Sequence, residues 1–178
     1  MNSFYTRQEL ENIGFKQLGN PILISRNASF YGVENMSIGN HVRIDDFCIL
    51  SGYITLGSHI HISAFCALYG SNGIEMEDYT GLSPRCTVLS ATDDFSGDYL
   101  IGPMVENKLT NVMGGKVIIK KYSQIGASSV IFPNLTIHEG AAVGAMSLVN
   151  KSLQAWTIFA GIPVKPIRDR TKGLLKLI

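Results

Sequence analysis

The feature that most limits how this chain can fold is an aliphatic residue recurring at every sixth position. From Ile38 the series runs Ile44, Leu50, Leu56, Ile62, Leu68, slips by two residues, and resumes as Met76, Leu82, Val88. Upstream it reads Leu18, Ile24, Phe30, with another two-residue slip before Ile38; downstream it reads Ile119, Ile125, Ile131, Ile137, Val143, Val149. Four residues after most openers stands a small or β-branched residue: Val42, Cys48, Ile54, Ile60, Cys66, Thr80, Cys86, then Ser123, Ser129, Ala141, Ser147. A helix repeats at 3.6 residues and a simple strand at 2, so neither explains a period of six. A hexapeptide β-helix does: each unit is a short strand and a turn, three units make one coil of a triangular prism, and both columns point inward. Eighteen openers make six coils, an all-β, left-handed parallel β-helix.

That frame resolves the three cysteines. Cys48 and Cys66 are one coil apart, and Cys86 follows after a coil plus the slip. All three fall in the inner column, where they act as small hydrophobes rather than as a disulfide or metal set. The net charge of +1 gives no general attraction to nucleic acid or to a membrane surface. No apolar run reaches spanning length, and Met1 to Asn20 lacks the apolar core of a signal peptide, so a cytoplasmic protein is expected.

The chain divides into a cap over residues 1–17, the β-helix over 18–155 and an extension over 156–178. Thr6-Arg7-Gln8-Glu9 reads as a capping box that starts a short helix, from about Arg7 to Asn12, ending at Gly14 and covering the first coil. The repeat fails over 91–115 and restarts in phase at Ile119, so this stretch is a loop inserted at one corner, a placement that favours function. Ile167 to Ile178 reads as a basic, amphipathic C-terminal helix.

With its repeats, its insertion and the close Ala160-Gly161-Ile162-Pro163-Val164-Lys165-Pro166-Ile167-Arg168, the sequence resembles the hexapeptide acyltransferases. The resemblance is to the galactoside and maltose O-acetyltransferase type and to the acetyltransferases that act on dTDP-4-amino-4,6-dideoxyhexoses for O-antigen and lipopolysaccharide synthesis. It implies a homotrimer with acetyl-CoA lying in a groove between two subunits. It further implies pantetheine contacts at Gly126-Ala127 and Gly144-Ala145, and nucleotide phosphates near Lys165 and Arg170.

The galactoside-type enzymes have a histidine base just inside the insertion. In the matching segment, Leu89-Ser90-Ala91-Thr92-Asp93-Asp94-Phe95, Asp94 stands in its place, with Asp93 beside it. A carboxylate suits an ammonium ion better than a hydroxyl, which shifts the expected acceptor to a nucleotide-linked amino sugar. His59 and His61 are the alternative bases. His41 and His59, one coil apart, should stack on an outward edge that Tyr79 continues. His59, His61 and His138 also raise a metal reading, but His138 belongs to a late coil, and no metal is expected. O-acetylation of a galactoside-like or antibiotic acceptor, and a β-helix scaffold without catalysis, stay open.

Overall fold

A computed structural model describes residues 3–177 as a left-handed parallel β-helix of short strands. Both inner columns are where the period puts them. Every opener from Ile38 to Val149 is buried, as are Cys48, Cys66, Cys86, Ser123, Ser129, Ala141 and Ser147 four residues after their own. The core is this single interior stack. Its polar members are satisfied locally: the Ser123 hydroxyl donates to the His138 carbonyl and that of Ser129 to the Gly144 carbonyl. The three cysteines are free thiols, and the Cys66 thiol donates to the Ser83 carbonyl at 3.2 Å.

The first face is a sheet of Ile22–Ile24, Val42–Ile44, Ile60–Ile62, Gly81–Leu82, Gln124–Ile125, Ala142–Val143 and Thr157–Ala160, all parallel and in register. The second face contains Thr87–Leu89, Val130–Ile131 and Leu148–Val149, and the third Met36–Ile38, Val117–Ile119 and Leu135–Ile137. Ile49–Leu56 and Ala67–Met76 run through the corner between these two and join them into one sheet. The slips have different structures. A 3-10 turn, Val33–Asn35, absorbs the first, and the long strand Ala67–Met76 absorbs the second.

Two corners turn through a left-handed residue three after the opener. His41, His59, Tyr79 and Tyr122 do so at the corner before the first face; Phe47, Phe65, Arg85, Ser128 and Met146 do so at the corner after it. Such angles are costly for bulky residues. They persist because each of these amides from one coil to the next finds a carbonyl on the coil before, as in Tyr79 to Ser58 and Met146 to Ala127.

The helix Arg7–Ile13 begins with a capping box between Thr6 and Glu9 and ends at Gly14 in the left-handed region. Leu10 is buried and Phe15 meets Phe30 edge-on, closing the prism. Hydrogen bonds from Arg26, then from Thr6, hold the Glu9 carboxyl down at about 2.

The C-terminal helix expected over Ile167 to Ile178 does not form. Lys165–Asp169 is instead a strand, antiparallel to Thr157–Ala160, followed by a 3-10 turn at Gly173–Lys176. The last coil leaves an edge of unpaired backbone, and covering it outweighs the amphipathic pattern. Pro166 is tolerated because this is the outermost strand. Ile178 lies outside the described residues.

Candidate active site

The outward residues of the first face form one register column: Leu23, Arg43, His61, Gly81, Gln124, Ala142, Ile158. Gly81 interrupts it. With no side chain there, a notch of ≈ 80 Å³ opens between His61 and Gln124, bordered by Ser63 and Ser83 at the corner. Above the notch the carboxylate of Asp45 accepts from Arg43 Nε and bonds His61 Nε2, both at 2.7 Å. Partial burial pushes the Asp45 carboxyl up, but the bonds to Arg43 and His61 outweigh it and leave it below its ordinary value.

The insertion leaves the far corner of the second face as a two-stranded ribbon, Ala91–Asp93 against Val112–Gly114. It separates the two aspartates. Asp94 accepts from the Ser96 amide and from Asn111 Nδ2, both at 2.8 Å, closing the loop on itself. These bonds, that of the Ser96 amide first, hold its carboxyl below the ordinary range. Asp94, expected to lead the chemistry, is thus engaged by the loop through both carboxylate oxygens. The half-buried Asp93 carboxylate has no hydrogen bond or ion pair among the described residues.

The proposed cofactor residues divide in the same way. Gly126-Ala127 and Gly144-Ala145 do stack on one edge, with the Gly126 amide donating to Val143 at 2.8 Å. A Cβ on Gly126 would lie 2.5 Å from the Ala145 nitrogen, so packing between coils by itself demands that glycine. Ala127 and Ala145 keep solvent access. Lys165 is exposed and has no ion pair among the described residues. Arg170, expected near phosphates, gives one of its nitrogens to the fold. Its Nη1 donates to the carbonyls of Tyr122 and Gly140, at 2.8 and 3.0 Å, and desolvation lowers its pKa. It pins the C-terminal strand to the corner.

His59 is sandwiched between His41 and Tyr79 at 4.6 and 4.5 Å, with ring planes within 8° and 2°. The stack continues through Tyr122 to Trp156, and makes His59 part of an aromatic ladder rather than of the notch. Among the described residues no group of three ligands could hold a metal, and no helix is long and apolar enough to cross a membrane.

The chain is 42% identical over 172 residues to the dTDP-4-amino-4,6-dideoxy-D-glucose acyltransferase of Escherichia coli, covering 95% of this chain and 90% of that one. It belongs to the hexapeptide-repeat acyltransferases. It superposes with a TM-score of 0.98 on AntD, an N-acyltransferase from Bacillus cereus, at 53% identity and 99% and 96% coverage of the two chains. That protein has been solved with dTDP-4-amino-4,6-dideoxyglucose and coenzyme A, and with dTDP and 3-hydroxybutyryl-CoA. Its crystallised variants include changes at a serine and at an aspartate ten residues further on. A maltose O-acetyltransferase from Clostridium difficile, at 21% identity and TM-score 0.61, shares the fold. No family model matches the sequence.

For a hexapeptide-repeat acyltransferase, the residues that sequence reading passed over are Ser83, Gly81, Gln124 and the Arg43–Asp45 pair. Aligning the residue before each first-face opener would have shown the glycine gap, provided the slip and the insertion were counted out.

Proposed function

We propose that this acyltransferase moves an acyl group from an acyl-CoA to the 4-amino group of dTDP-4-amino-4,6-dideoxyglucose. The observation that carries the reading is the unpartnered carboxylate of Asp93, ten residues after Ser83. This is the serine-to-aspartate spacing altered in the B. cereus enzyme. Ten residues before Asp94 stands Pro84, so spacing and hydrogen bonding both favour Asp93 over its neighbour.

Asp93 pairs with the acceptor ammonium and then takes its proton, leaving the neutral amine as nucleophile. The Ser83 hydroxyl, free of partners among the described residues, holds that nitrogen in place. Bound acyl-CoA supplies the activated thioester carbonyl. Ala127 and Ala145 leave the edge open for a pantetheine chain, and Lys165 offers a cation to its phosphates.

Ser83 and Asp93 stand at opposite ends of the second face, on the order of 15 Å apart at about 3.3 Å per strand residue. One small amine does not reach both within a protomer. In the threefold ring we propose, the insertion of one protomer is set against the first face of the next. The notch alone, ≈ 80 Å³, is also smaller than a ligand cleft and needs a neighbour as its other wall. Exposed Phe47, Phe65, Tyr69 and Met146 supply apolar surface for that contact. A homotrimer is thus part of the proposal, with sedimentation at about three times 19.4 kDa as its check. A cytoplasmic enzyme supplying a sugar nucleotide for O-antigen synthesis is the setting we propose.

A thiol-release assay tests the reaction, pairing acetyl-CoA and 3-hydroxybutyryl-CoA with the dTDP-amino sugar and with a simple galactoside. Release is expected with the amino sugar alone. Release with the galactoside alone would restore the O-acetyltransferase reading.

A further inference from the structure

We propose that the upper half of the first-face column is the track for the acceptor's nucleotide, with Arg43 and His61 as the seat of its diphosphate. The proposal rests on the sugar-nucleotide reading above and adds where, and in which direction, that substrate lies.

The argument begins with the column's order. Neighbouring coils are about 4.8 Å apart. Passing down the first face, a ligand meets Leu23, then Arg43, then His61, then the gap at Gly81. The two basic side chains are register partners on adjacent strands. They stand immediately above the notch that Ser83 borders. Above them is a shallow hollow of ≈ 310 Å³ lined by Pro21, Leu23 and His41 as well as Arg43. Leu23 is 46% exposed there, an apolar surface with an imidazole close by. A flat base, two phosphates and a sugar follow one another in the same sequence as the hollow, the two basic side chains and the notch.

Asp45 fixes the two basic groups without consuming them. It engages Arg43 through Nε, leaving both terminal nitrogens, and His61 through Nε2, leaving Nδ1. The guanidinium is steadied from the other side by the Phe4 ring, 5.4 Å from its carbon. A planar fork held at Nε presents its outer edge in the geometry that suits phosphate oxygens. The opposite end of the column, Ala142 and Ile158, carries no charge. Its cations stand on the added strand, where Arg168 pairs with Ile158 and Lys165 with Ala160. The acceptor and the acyl donor therefore approach the Ser83 corner from opposite ends of the prism.

Calorimetry with dTDP as the probe is the test. Arg43→Gln and His61→Gln should each weaken dTDP binding about tenfold or more, as expected for a lost charge-assisted bond to phosphate. The KM for acyl-CoA should hold, and Arg43→Lys should recover part of the loss. Lys165→Gln should do the reverse, raising the acyl-CoA KM and leaving dTDP binding intact. In the unaltered protein, dTDP should move the ring resonances of His61 and leave those of His138 in place, which tests the site even if a variant folds poorly. Unchanged dTDP affinity in both glutamine variants, or a still His61 resonance under saturating dTDP, overturns the track. If the unaltered protein fails to bind dTDP at all, it is the sugar-nucleotide reading that falls.

Discussion

The first and third faces are built from the same repeat and differ in what they present. On the third face the outward residues include Ser37, Thr55, Glu75, Ile118 and Thr136, and nearby charges are matched: Lys116 with Glu75, Lys120 with Glu77, Lys121 with Asp78. On the first face the column is interrupted by a glycine, and the basic groups above it keep donors to spare. The interior is equally regular behind both. The comparison teaches that in a solenoid the repeat determines stability everywhere, so function is found where the outward column departs from it and polar groups are left unmatched.

The largest expected effect lies at the two adjacent aspartates of the insertion, Asp93 and Asp94. Asp93→Asn removes the proposed proton acceptor and should lower kcat by about 10²-fold or more, with acyl-CoA KM little changed. Asp94→Asn should keep most of the activity, because the asparagine can still accept from the Ser96 amide. The opposite ranking in steady-state assays would return the base to Asp94. Next comes the edge where the first face ends. Ala145→Glu puts bulk and negative charge beside the proposed pantetheine path and should abolish measurable acyl-CoA binding while circular dichroism is unchanged. Normal affinity would move the donor off that edge.

Gly81→Ala is a smaller change. A Cβ there meets the Gln124 Oε1 at 2.6 Å, the end of a side chain that can swing away, so the fold should survive. The methyl narrows the notch, and the acceptor KM should rise several-fold while that for acyl-CoA holds. Acid should act on the insertion more gently. The Asp94 carboxyl is depressed in the folded state, so its hold on the loop is present at neutral pH. That hold is lost only as pH falls below the ordinary aspartate value of about 3.9 and through the lower folded one. Limited proteolysis within 91–115 should accelerate there, and Asp94→Asn should flatten that response.

The period of six made the interior legible, down to which serines and cysteines are buried, because a coil has room inside for two columns only. It also placed His59 against His41 and Tyr79, since residues one coil apart on an edge must stack. What the period could not see is anything set by contacts across the repeat. Asp93 and Asp94 are adjacent, and the Ser96 amide together with Asn111, on the returning side of the loop, decides which carboxylate stays free. Arg170 looked like a free cation until the open backbone of the last coil turned a helix pattern into a strand and brought it onto two carbonyls. The notch was hidden for a related reason. Gly81 follows a slip and precedes the insertion, so its column is broken in sequence where it is continuous in space.

The smallest expected effect is on the third face, and it is the control for the whole comparison. Lys116 pairs with Glu75 at the surface, with about half of the lysine side chain and a third of the glutamate exposed to solvent. An exposed pair gains little, since water screens the attraction and two long side chains lose freedom, so its net contribution is about 1 kcal/mol at most. Lys116→Gln should therefore shift the thermal midpoint by no more than a few degrees. No element of the proposed groove draws on the third face, so kcat and both KM values should match the unaltered enzyme. A loss of activity in this variant would mean that the charged face takes part in binding or assembly, and the division between a functional first face and an inert third one would have to be withdrawn.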